Sequence, residues 1–245
     1  MNVILTGSQK NDIGKTVISI RMAFELAGTG KKVLMMDLSS GKIKMSEYLN
    51  VNEDIIYDIV DVLKNTCTLE QAIIKINENL WLLPFPRVPS KINEINKESF
   101  VKLLESLEDY DYVIIDAEKL TSVYIDFSKI DNAITINNND FSCIKEINSD
   151  KTISSEATNF IVVINKYHKK KAKKGIMMKL KDIEKLTEKK VSSLIEENSK
   201  YTDLNYELLY DLDFLKTEIK NIIRNLKWTR SAKAERVLFT RRDFL

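Results

Sequence analysis

"NVILTGSQKNDIGKTVISIRMAFELA", residues 2–27, is the stretch whose reading decides the fold. It opens on a short apolar strand, "NVILT" (2–6), and closes on a helix-like run, "VISIRMAFELA" (17–27). Between them a loop ends in Gly14-Lys15-Thr16. Strand, loop and helix with Gly-Lys-Thr at the last junction is the setting in which backbone amides and a lysine hold phosphate groups. The usual pattern also places a glycine five positions before Gly14, and here position 9 is Gln.

Downstream, short apolar runs alternate with helical spacing. A helix is expected over 15–28, then a strand "KVLMMD" (32–37), then a helix over 54–64 with Ile55, Ile59, Val60 and Leu63 on one face. "LWLLPFP" (80–86) reads as a buried strand, 97–108 as a helix presenting Phe100, Val101, Leu104 and Leu107. "YDYVIID" (110–116), "AITIN" (133–137), "FIVVIN" (160–165) and "KVSSLI" (190–195) read as strands. Helices are expected near 140–148, over 172–187 with Ile176, Leu180 and Ile183 in register, and over 212–227. Continuous apolar strands separated by helices predict an α/β fold, a mainly parallel twisted sheet with helices on both faces.

The chain has 245 residues, 44% hydrophobic and 30% charged, enough to bury one full core. One domain over 1–227 is expected, with 228–245 as a basic and apolar C-terminal extension. A net charge of +2 gives no global argument for nucleic acid or membrane. Cys67 and Cys143 fit no metal-ligand spacing and imply no disulfide framework. No signal peptide and no apolar run of about 18 residues is found, so a cytoplasmic location is expected. The one histidine, His168, leaves little for triads or zinc sites.

In an open α/β sheet, ligands bind beyond the carboxyl ends of the strands. The loop before Lys15, Asp37 and Asp116 all fall there. A lysine for phosphates, a threonine hydroxyl for Mg²⁺ and a strand-end aspartate to orient that ion's shell are what phosphoryl chemistry requires.

At this point the sequence resembles a family. "KNDIGKT" (10–16) is similar to the deviant Walker-A loop of the MinD/ParA P-loop ATPases, with its additional lysine at Lys10. "GKKVLMMDLSSGKIKMSEYLNV" (30–51), "YDYVIIDA" (110–117) and "VVINK" (162–166) resemble the family's next three motifs. The resemblance implies a P-loop NTPase-like fold, ATP or ADP with Mg²⁺ as ligands, and a nucleotide-dependent homodimer acting on a protein partner. Asn11, Asp12, Ile13, Gly14, Lys15, Thr16 and Val17 would form the phosphate cradle. Lys15 would pair with the β- and γ-phosphates, and Lys10 would reach a partner subunit's phosphates. Thr16 would ligate Mg²⁺, Asp116 would orient it through water, Asp37 would act near the attacking water, and Asn165 would read the adenine edge. Concentrated phosphate charge needs cations on several sides, and a dimer brings one from each subunit.

The departures are as definite. Asn11 and Asp12 replace two glycines, and Ser39 replaces the second acidic residue of Asp-x-Asp. "AEKL" (117–120) replaces a proline-rich turn, and "SLIEEN" (193–198) lacks the proline that helps seat adenine. Asn and Asp tolerate left-handed backbone best among side-chain-bearing residues, so the loop is expected to form. Asp12 must then turn outward or meet a cation.

The implied function is a nucleotide-responsive switch that positions or regulates a division, partition, flagellar or pilus assembly, with slow or absent ATP hydrolysis. The competing readings are a non-hydrolysing pseudo-ATPase scaffold, and a dethiobiotin-synthetase-like ATP-dependent ligase, whose opening "LTGSQKNDIGKTV" (5–17) resembles with one residue too many between Gly7 and Gly14. Two basic segments, "KYHKKKAKK" (166–174) and 228–245, are candidates for contact with DNA or with the inner face of the membrane. Their ordinary reading is a solvated loop and a packed tail.

Overall fold

The computed structural model describes residues 1–8, 10–120, 124–153, 155–198, 206–211 and 213–227. The chain begins β1 (Asn2–Gly7), α1 (Lys15–Ala27), β2 (Val33–Leu38), α2 (Met45–Tyr48), α3 (Ile59–Leu63), α4 (Leu69–Ala72), β3 (Ile74–Asn77) and β4 (Leu80–Leu83). It continues α5 (Lys97–Glu105), β5 (Tyr112–Ala117), β6 (Asn132–Asn138), α6 (Phe141–Ile153), β7 (Asn159–Tyr167), α7 (Lys169–Lys173), α8 (Leu180–Thr187), β8 (Val191–Glu196), α9 (Tyr206–Tyr210) and α10 (Lys216–Arg224). The eight strands form one sheet in the order β3-β4-β2-β5-β1-β6-β7-β8. Every pairing is parallel except β3 with β4, which run antiparallel at one edge.

Alternate residues of a strand face opposite sides, so a strand covered on both faces is apolar throughout. β1 shows this directly: Ile4 points into the core under α1 and α10, while Val3 and Leu5 point into the core under α3 and α5. A third cluster joins Ile144 and Ile147 of α6 to Val162 and Ile164 of β7 and Ile183 of α8. The predicted α/β fold with helices on both faces is thus present.

The register carries chemistry. Thr6 lies opposite Asp116, and Asp116 lies opposite Asp37, so three polar side chains stand abreast at the carboxyl ends of β1, β5 and β2. The opposite rim holds a seam of asparagines. Asn2, Asn132 and Asn159 begin β1, β6 and β7. Asn2 Nδ2 and Asn132 Nδ2 donate to the Lys227 carbonyl (2.9 and 3.0 Å), and Asn132 Oδ1 accepts the Lys227 N–H (2.8 Å). Asn159 Nδ2 donates to Asn132 Oδ1 and to the Asn225 carbonyl. The chain after α10 is thereby pinned to the amino ends of the strands.

Several expected elements differ. The helix expected over 54–64 shortens to α3, because Asp58 caps it by accepting the Val60 N–H and Ile55 is extended. The basic helix expected over 172–187 divides into α7 and α8 at Gly175, whose φ is 75°, which leaves Ile176 exposed. The closing helix contracts to α10, preceded by α9, and β3 is an additional edge strand. The extension 228–245 lies outside the described residues.

Candidate functional site

Gly14 ends the loop with φ 88° and precedes α1. The torsion demands glycine, and a Cβ there would stand 2.5 Å from Asn165 Nδ2 and displace that side chain. The first turn of a helix has N–H groups without intrahelical acceptors. Here the helical ladder starts with Ile18 N–H donating to the Gly14 carbonyl at 3.1 Å. Among the described residues no acceptor is recorded for the N–H groups of Ile13 to Val17. Asn11, Asp12, Ile13, Gly14, Lys15, Thr16 and Val17 line one cavity of about 210 Å³, closed on the far side by Ser39, Gly41, Lys42, Ile43 and Tyr48. It adjoins a larger hollow of about 740 Å³ that shares Asp12, Gly14, Val17 and Tyr48 and reaches Asn165, Lys166, His168 and Phe214.

Below the loop, Thr16 Oγ1 donates to Asp116 Oδ2 at 2.6 Å. Asp116 Oδ1 accepts from Thr6 Oγ1 (3.2 Å) and Ser19 Oγ (3.4 Å). Burial pushes the Asp116 carboxyl above the usual carboxylate range, opposed by the Thr16 hydrogen bond and the Lys15 charge. Lys15 is itself buried, and desolvation lowers its pKa against the pull of Asp116. Its Nζ donates to the Lys10 carbonyl at 3.1 Å. Asp37 is fully enclosed, and burial with the neighbouring Asp116 charge raises its pKa to about 7. Its two oxygens accept the N–H groups of Ser39 (3.0 Å) and of Met45 at the start of α2 (2.8 Å).

Residues 1–139, more than half of the chain, match a family model described as an AAA domain. The chain belongs to the MinD/ParA-like P-loop ATPase family. It is 37% identical over 117 residues to the septum site-determining protein MinD of Synechocystis sp., covering 46% of this chain and 44% of that protein. The chain thus spans under half the length of that relative. Among solved structures it is similar to the MinC:MinD cell division protein complex of Aquifex aeolicus, with a TM-score of 0.79, 26% identity, and coverage of 91% of this chain and 95% of the other. The fold also matches a septum site-determining MinD from Pyrococcus horikoshii complexed with Mg-ADP, with a TM-score of 0.77, 19% identity, and coverage of 96% of this chain and 98% of that one.

For a MinD/ParA-like chain, the loop is unusual in its side chains. Asp12 takes φ 57°, as expected of an Asp in a glycine's place. Its carboxylate turns outward to face Lys42 at 3.7 Å, both largely exposed, so both of the expected alternatives are met. Lys10 Nζ donates to Asp140 and Ser142 of the same chain, at 2.8 and 2.7 Å. Asn165 is brought to the loop: one Nδ2 N–H donates to the Ile13 carbonyl (2.7 Å) and Oδ1 accepts the Lys166 N–H (2.9 Å), which leaves a second N–H and a second lone pair.

Four contributors escaped sequence reasoning. Thr6 and Ser19 share a hydrogen bond of 2.7 Å beneath Asp116. Lys44 donates to the Ser39 carbonyl (2.7 Å), sits 3.6 Å above the Phe85 ring, and supplies positive charge beside Asp37. Lys166 donates to the Asp12 carbonyl at 2.8 Å. Only Ser19 carried a signal, since it lies one helical turn after Lys15.

Proposed function

We propose that this chain is a nucleotide-responsive switch that binds ATP or ADP with Mg²⁺ and uses the bound state to position or regulate a cellular assembly, of the division, partition, flagellar or pilus kind. The observation that carries this reading is the Thr16–Asp116 hydrogen bond set directly under the Ile13–Val17 amides, which have no acceptor among the described residues. Mg²⁺ suits that pair: a hydroxyl and a carboxylate are hard oxygen donors. Thr16 and, through water, Asp116 would hold the ion, which when bound supplies positive charge against β- and γ-phosphate oxygens.

The chain's own groups do the rest. Loop amides and the amino end of α1 receive phosphate oxygens. Lys15 exchanges the Lys10 carbonyl for phosphate, a stronger partner because it is charged. The larger hollow, walled by Val17, Ile18, Phe214 and Leu215, accommodates ribose and base. The Mg-ADP complex of the Pyrococcus protein is consistent with this ligand class. Hydrolysis is slow or absent in this reading, because both Asp37 oxygens are occupied by backbone N–H groups and the next acidic position is Ser39. The same observation favours the second reading, a scaffold that does not hydrolyse.

In this reading the domain runs over 1–227, and the hydrogen bonds that hold Lys227 to Asn2 and Asn132 support that boundary. Partners are a second copy of this chain in the ATP state and a protein cargo. In the basic run 166–174 Lys169 is paired to Glu196, and among the described residues Lys170, Lys171, Lys173 and Lys174 have no ion-pair partner and would serve DNA or anionic lipid. Titration calorimetry with ATP and ADP, with and without Mg²⁺, should give roughly micromolar affinity. That binding should depend on Mg²⁺ and disappear in Lys15→Ala. No heat at millimolar nucleotide would sink the switch. Nucleotide binding without phosphate release would assign the scaffold.

A further inference from the structure

Two residues other than glycine take left-handed backbone at the site, Asp12 (φ 57°) and Lys166 (φ 52°). Such torsions are costly for residues with side chains and persist where surroundings impose them. Here the two are joined: Lys166 Nζ donates to the Asp12 carbonyl at 2.8 Å. Next to it, Asn165 Nδ2 donates to the Ile13 carbonyl at 2.7 Å, and Asn165 is steadied through its Oδ1 on the Lys166 N–H.

A trans peptide is planar and sets its C=O and N–H in opposite directions. No peptide among the described residues is cis. Drawing the Asp12 carbonyl toward Lys166 therefore turns the Ile13 N–H away from β7. Drawing the Ile13 carbonyl toward Asn165 does the same for the Gly14 N–H. Neither N–H has an acceptor among the described residues, and both residues line the cavity of about 210 Å³.

We propose that Lys166, assisted by Asn165, is a positioning residue that aims the Ile13 and Gly14 amides at bound phosphate, fixing by side-chain contact a loop in which Asn11 and Asp12 have replaced more permissive residues. The inference rests on the phosphate-binding reading above and deepens it. Lys42 does not share the role, because it meets the Asp12 carboxylate and leaves the backbone untouched. It also gives Asn165 a task on the phosphate side of the site, in place of the base edge.

The test is calorimetry of Mg·ADP and Mg·ATP with the full chain, with Lys166→Met and with Lys166→Arg. Two-dimensional amide spectra of the Ile13 and Gly14 N–H groups accompany it. Lys166→Met should bind about tenfold more weakly, about 1.4 kcal/mol, with its melting temperature without nucleotide unchanged. Lys166→Arg should recover most of the affinity. In the unaltered chain both amide protons should move downfield on adding Mg·ADP, and in Lys166→Met they should not. Equal affinity and equal amide shifts in Lys166→Met would overturn the inference while leaving nucleotide binding intact. Absence of binding by the unaltered chain would remove both. A lower melting temperature without nucleotide, together with unaltered amide shifts, would also overturn it, by showing a purely structural lysine.

Discussion

At the scale of single residues, the carboxylates under the loop are held in a state that bulk water would not give them. Asp37 has its pKa raised from 3.8 to about 7. Between those values the folded chain keeps a proton that the unfolded chain has lost, so this group's contribution to stability falls as pH rises through the window. From pH 5.5 to pH 8 the loss is about 2 kcal/mol, and Asp116 acts in the same direction. Urea unfolding at the two pH values should show that decline in the unaltered chain and a visibly flatter response in Asp37→Asn. An equal decline in both would mean that Asp37 is ionised throughout. Mg²⁺ with nucleotide should reverse the trend, because a cation favours the deprotonated carboxylates.

At the scale of elements, α1 is tied to the segment around α9 and the start of α10 by a buried cation. Arg21 is fully buried, with Nε donating to the Phe214 carbonyl (3.0 Å) and Nη1 to the Leu209 carbonyl (2.7 Å). Replacing it by Met keeps the apolar stem and removes the two N–H donors that serve these carbonyls, which should cost about 3 kcal/mol in urea unfolding. A cost under about 1 kcal/mol would show that the α9–α10 segment does not depend on this contact. The same element shows what sequence could reveal. β1, α1, β2 and β5 were legible because a continuous apolar run or a 3.6-residue stripe is a local property. Gly14, Lys15, Thr16, Asp37 and Asp116 were legible because each stands at the end of such an element. The division of 172–187 at Gly175 was hidden, since Ile176 keeps helical spacing while pointing to solvent. Lys166 and Arg21 were hidden for a different reason. Their partners are carbonyls 154 and up to 193 residues away, and a carbonyl has no letter in the sequence.

At the scale of the whole molecule, the loop, Lys10 and the exposed Phe141 at the start of α6 share one rim of the sheet. Lys10 is satisfied within its own chain by Asp140 and Ser142, so in the proposed dimer it would have to exchange those partners for phosphate. With Mg²⁺ and a non-hydrolysable ATP analogue, light scattering should give twice the mass of one chain. Lys10→Ala should stay at the single mass under the same conditions. A doubled mass for the variant would remove Lys10 from the assembly. The opposite rim has its own meaning. Lys227 is gripped at the starts of β1 and β6, and five strand residues of about 3.3 Å separate that level from the loop, roughly 17 Å in all. A pull on Lys227 would reach the amino ends of β1 and β6, at the rim opposite the loop. The loop rim and the amino-end rim are therefore separate faces, and a ligand on one would leave the other uncovered.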